Sequence, residues 1–195
     1  MLTFYHAPRF RSGRVHWLLH ELGVPFEMRR MDVPRQDGSG ARDPRNRHPE
    51  GKVPSLDHDG QLVTESAAIM LYLTDLFPDR GLGIAPGAAG RGGYLTWLFW
   101  YGAVMEPVYI SEVLGIADHP VVRATFRSRA EVAARVIAAL EARPWLTGDR
   151  FTAADILVCS PYLYFPDATP DHPAVRDWLK RCTTRPAHLK AQEAD

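Results

Sequence analysis

Up to about residue 80, short apolar runs alternate with single helical stripes; beyond it, long helical stripes take over. Residues 2–5, LTFY, form a first apolar run, and Val15, Leu18, Leu19 and Leu22 then recur at helical spacing. Gly23-Val24-Pro25 closes that helix. Apolar Phe26 and Met28 alternate with Glu27 and Arg29 in a second strand, FEMRRM. A Gly-, Pro- and Arg-rich stretch without period follows and reads as a long loop. VPSLDHDGQLV predicts a hairpin turning at Asp59-Gly60. TESAAIMLYLTDLF predicts a helix with Ile69, Tyr72, Leu73 and Leu76 on one face.

The expected fold is therefore a mixed α/β unit over residues 1–80, with helices packed on a small sheet. Residues 81–93, GLGIAPGAAGRGG, read as a linker. Residues 94–195 read as an all-α unit, whose helices are YLTWLFWYGAVMEPVYI, interrupted at Glu106-Pro107, then residues 121–146, then a helix announced by FTAAD. There Thr152 and Asp155 are spaced as a capping box, and Phe151 and Ile156 stand at staple positions.

Composition narrows the function by exclusion. In a chain of 195 residues, 23 cationic side chains balance 23 anionic ones, so no net field favours nucleic acid or an anionic membrane. The most apolar window, residues 94–105, is short of the roughly 18 residues that a membrane span needs. The first residues lack the apolar core of a secretory leader, and the spacing of Cys159 and Cys182 matches no redox pair or metal knuckle. Eight histidines show no paired-ligand spacing. The expectation is a metal-free cytoplasmic protein.

Two stretches carry candidate chemistry. In KVPSL, a cis Val53–Pro54 bond would expose the Val53 amide and carbonyl to a peptide-like ligand; a trans bond would mark only a strand edge. In TESAAI, Glu65 and Ser66 stand at a helix start, where backbone amides and the dipole attract a carboxylate while Glu65 could hold an ammonium. That pair describes an amino-acid moiety; the plainer alternative is a capped helix with an acid in its first turn.

With these motifs in order, the chain resembles the cytosolic glutathione transferases, of bacterial type. The resemblance rests on LTFYHAP…SGRVHWLLHELGVPFE, GKVPSL, VTESAAIMLYL and FTAAD, and covers essentially the whole chain. It implies a thioredoxin-like N-terminal domain with a four-stranded mixed sheet, an all-helical C-terminal domain, glutathione as co-substrate, and a homodimer acting in detoxification. Pro54 would be the family's cis-proline, and Val53 would pair with the cysteinyl part of glutathione. Glu65 and Ser66 would take the γ-glutamyl end, and Lys52 the glycyl carboxylate. Thr152 and Asp155 would be structural. The activity implied is attack of the glutathione thiol on a hydrophobic electrophile; the alternatives are peroxide or disulfide reduction, and binding without turnover.

The loop RFRSGR departs from the family. Many bacterial and fungal members read Ser-Arg-Ser-x-Arg there, and Phe10 stands where the first serine, the thiolate partner, is expected. Three substitutes remain, each with a plain alternative: Ser12 (an N-cap), Tyr5 (a core aromatic) and Arg11 (a solvated arginine). Ser12 and Tyr5 rank level, with Arg11 assisting by charge. Lowering a thiol from about 8.5 to about 6.5 needs only about 2.7 kcal/mol. For the electrophile, Phe10, Trp97, Trp100, Tyr101 and Met105 offer aromatic and soft surface between the domains, or else simply core.

Overall fold

β1 (Leu2–His6) is buried at all five residues, as a central strand covered on both faces must be. The computed structural model describes residues 1–194. β2 (Glu27–Arg30) runs parallel to β1, and β3 (Ser55–His58) runs antiparallel on its other side. β4 (Gln61–Thr64) pairs antiparallel with β3 and completes the order β2-β1-β3-β4. This is the thioredoxin-like mixed sheet that the motifs imply.

Strand alternation sends Phe4 and His6 to one face and Thr3 and Tyr5 to the other. α1 (Gly13–Leu22) and α2 (Ser66–Leu76) cover the first face. The Phe4 and His16 rings stack with centroids 6.1 Å apart, and His58 Nδ1 lies 2.7 Å from the Tyr72 hydroxyl. On the second face, Arg47 from the irregular segment between β2 and β3 pairs with buried Asp57. α1 stops at Gly23, whose φ of 62° suits a left-handed cap. Asp59 and Gly60 have φ of 51° and 92°, as a two-residue hairpin turn requires. The buried face of α2 is Ile69, Met70, Leu73 and Thr74; Leu76, expected inside, is exposed.

The second unit comprises Gly83–Thr183. It holds α3 (Arg91–Trp100), a π-helical turn (Tyr101–Met105), α4 (Glu106–Val113), α5 (Pro120–Thr125), α6 (Arg129–Ala142), α7 (Ala153–Tyr164) and α8 (Pro173–Thr183). The π turn sits where Pro107 interrupts the ladder. The Glu106 amide reaches back five residues to the Tyr101 carbonyl, and Pro107 has no N–H to give. Residues 121–146, expected as one helix, are two, because Ser128 starts α6 afresh. Its amide and hydroxyl both donate to Glu131 at 2.8 Å, one half of a capping box.

α7 is the core of this unit, buried at every residue from 153 to 162. The Thr152 amide donates to Asp155 at 2.9 Å, as the FTAAD spacing predicts. Asp155 also accepts from the Leu146 amide at 3.0 Å and from Trp178 Nε1 on α8 at 2.9 Å. One carboxylate thus joins the start of α7, the loop before it and α8.

α9 (Pro186–Glu193) corrects the expected boundary of the helical part. The chain from Thr184 onward belongs with residues 1–82; residue 195 lies outside the described residues. Arg185 pairs with nearly buried Glu21 of α1 through two bonds of 2.6 and 2.7 Å, and His188 packs on Trp17 with centroids 4.4 Å apart. The expected linker is also shorter than its glycines suggest, since α3 begins at Arg91. Among the described residues no helix is long and apolar enough to cross a membrane.

Candidate functional site

Register brings the candidate residues of the first unit to one end of its central strands. Tyr5 pairs with Ser55, and Ser55 with Thr64. The chain leaving β1, the chain entering β3 and the chain leaving β4 therefore meet there. These are residues 7–12, the Val53–Pro54 bond, and Glu65 with Ser66.

The Val53–Pro54 peptide is cis. The approach to it is held by side chains that the sequence reading missed. Asn46 Nδ2 donates to the Lys52 carbonyl at 2.9 Å, while its Oδ1 accepts from the His48 amide at 3.0 Å. Buried His48 accepts the Glu50 amide on Nδ1 at 3.1 Å. Gly51 turns at φ 67°, and a Cβ there would lie 2.7 Å from the Arg42 side chain. Only the run NRHPEG hints at this clamp, because its partners are backbone atoms. Lys52 itself is exposed and Val53 half-buried.

Glu65 is the N-cap of α2, with φ 68° and ψ 125°. For a residue with a Cβ this conformation costs on the order of 1–3 kcal/mol and is found mainly where function demands it. Neither Glu65 nor Ser66 uses its side chain to cap the helix, so an exposed carboxylate and a half-buried hydroxyl stand at the positive end of α2.

Ser12 is fully buried, and its hydroxyl accepts from the Ala7 amide at 3.1 Å and donates to the Ala7 carbonyl at 3.0 Å. It is the N-cap residue of α1 but makes no side-chain capping bond, its one hydrogen going to the Ala7 carbonyl. Tyr5 is 1% exposed and lies on the face away from α1, with the Arg29 guanidinium 6.0 Å from its ring centroid. Arg11 is exposed beside the start of α1, and Arg9 takes φ 58°. Phe10 is half-buried under the Arg35 guanidinium, 5.1 Å from its ring centroid.

The aromatics expected to line an electrophile pocket are core in the second unit. Trp97, Trp100, Tyr101 and Met105 are 8%, 6%, 4% and 0% exposed, whereas Phe99 between them is 56% exposed. Helical phase, together with the π turn, turns the tryptophans inward and Phe99 outward. Among the described residues no group of three or more His, Cys, Asp or Glu could hold a metal ion.

A thioredoxin-like sheet with a cis-proline strand entry, followed by a helical second unit, defines the class of fold. Residues 11–76 match the glutathione S-transferase N-terminal domain, and residues 103–186 the C-terminal domain. Glutathione S-transferase GstA of Escherichia coli O157:H7 is 30% identical over 79% of this chain and 77% of its own. The disulfide-bond oxidoreductase YfcG of Escherichia coli K12 is 27% identical over 100% of this chain and 98% of its own. A sphingomonad glutathione S-transferase solved in complex with glutathione superposes with a TM-score of 0.79 at 26% identity, over 98% of each chain. The chain belongs to the glutathione S-transferase family.

Proposed function

We propose that this protein binds glutathione at that end of the strands of its first unit and ionises the thiol for attack on a hydrophobic electrophile. The carrying observation is the meeting, through Ser55 and Thr64, of the cis Val53–Pro54 bond with Glu65 at positive φ. Val53 offers its backbone to the cysteinyl residue, Glu65 its carboxylate to the γ-glutamyl ammonium, and Ser66 with the α2 amides a seat for the adjoining carboxylate. Lys52 supplies a charge for the glycyl carboxylate. The thiol would then lie towards the start of α1, where the helix dipole and Arg11 favour the thiolate. With its hydroxyl bound to Ala7, Ser12 holds the loop in shape and leaves stabilisation of the thiolate to those positive groups.

A second reading keeps the same bound thiolate and directs it at a disulfide. The whole-length likeness to an oxidoreductase supports it, as does a loop with neither a cysteine nor a free serine hydroxyl. Family likeness further supports a cytoplasmic homodimer acting in detoxification. Parallel assays separate the two reactions: turnover of an activated aryl chloride identifies the transferase, turnover of a small dialkyl disulfide the reductase. Failure of both, with glutathione bound, would leave only a binding protein.

A further inference from the structure

The helical unit holds a cation that glutathione chemistry does not use. Trp97 and Trp100 meet edge-on, at 83° with centroids 5.1 Å apart. The Arg135 guanidinium of α6 lies 5.0 Å from each ring centroid. Two indoles thereby flank one planar cation on a residue that remains exposed.

No acid of the described residues pairs with this charge. Among the described residues Arg135 makes no hydrogen bond or ion pair. Glu131, four residues earlier on α6, has the spacing to pair with it. It is instead turned to the helix start, where it accepts the amide and hydroxyl of Ser128. The charge acting on Arg135 is that of Arg127, at the turn before α6; burial against the indoles and then this like charge both lower its pKa. A preorganised, partly desolvated guanidinium with its donors unspent and a second cation nearby is complementary to an anion.

We propose that Arg135, seated on Trp97 and Trp100 and assisted by Arg127, forms a binding site for the carboxylate of an organic ligand. The guanidinium fork takes both carboxylate oxygens, and the indoles hold the fork in place.

Benzoate is the probe, with neutral benzamide as its isosteric control, titrated in the absence of glutathione and followed by calorimetry and tryptophan fluorescence. Saturable benzoate binding is expected, weakened by added salt and at least about tenfold tighter than benzamide. Arg135→Gln should lose about tenfold and Arg127→Gln less, while Arg135→Lys, which keeps charge without the fork, falls between wild type and Gln. Absence of saturable benzoate binding, or equal affinity in wild type and the folded Arg135 variants, overturns the site. Glutathione affinity, measured separately in Arg135→Gln, should be unchanged, so that loss of the glutathione reading and loss of this site are distinguishable.

Discussion

The hydroxyl of Ser12 and the backbone of Ala7 bond in both directions, the amide giving at 3.1 Å and the carbonyl receiving at 3.0 Å. A hydroxyl has one hydrogen, and to stabilise a thiolate it must donate that hydrogen to sulfur. Here the hydrogen is spent on Ala7, in a site closed to solvent.

Ser12→Ala should therefore act on stability more than on the thiol. Leaving the Ala7 amide and carbonyl without this partner costs about 1–3 kcal/mol, read as a lower urea midpoint at unchanged m. The pKa of bound glutathione should move by less than about half a unit, under about 0.7 kcal/mol. A rise of a full unit or more would restore Ser12 as the thiolate partner.

Glu65 predicts a split between stability and binding. Glu65→Gly relieves the positive φ and should raise stability by about 1 kcal/mol. It also removes the carboxylate proposed to hold the γ-glutamyl ammonium, so glutathione affinity should fall by about tenfold or more. Denaturation and calorimetry on the same variant would show the opposite signs; stability and affinity falling together would make Glu65 a structural residue only.

Asp155 is a buried acid that ties three parts of the helical unit together. Burial raises its pKa to about 6, while the Leu146 and Thr152 amides and Trp178 Nε1 pull it down. Asp155→Ala leaves those buried donors unanswered and should cost about 3 kcal/mol or more, seen as a large loss of thermal stability. A loss below about 1 kcal/mol would mean that water or a shifted backbone replaces the carboxylate.

His20 sets an acid-sensitive contact on α1. Its Nε2 lies 3.1 Å from His16 Nε2, and burial followed by the charge of Lys190 on α9 lowers its pKa from the ordinary 6.5. The folded state then binds fewer protons than the unfolded chain, so this contribution is present above about pH 6.5 and is lost as pH falls towards the lowered value. Asp155 runs the other way, losing stability as pH rises from 3.8 towards about 6. Subtracting the pH profile of a His20→Gln variant isolates the histidine. The wild-type curve should drop faster on acidification, and parallel curves would remove His20 from the account.

Local signals were legible where the partner sits nearby in sequence. Asp59-Gly60, Gly23 and Thr152 with Asp155 each declare a turn or cap within three or four residues, and the structure places them so. The break before α6 was also written locally, in Ser128 and Glu131, but the single helix read across residues 121–146 masked it. Long-range placement was not legible. Nothing around Arg185 announces Glu21 of α1, and nothing around Trp97 announces Arg135. Ser12 was visible as a polar residue before a helix, yet its role depends on the path of the Ala7 backbone, which composition does not encode.

The most direct test follows the ultraviolet thiolate absorbance of glutathione bound to the protein across pH. Saturable binding is expected, with the thiol pKa lowered from about 8.5 to about 6.5 and the Arg11→Gln variant returning part of the way. A bound thiol that titrates like the free one, or no binding at all, would contradict that expectation.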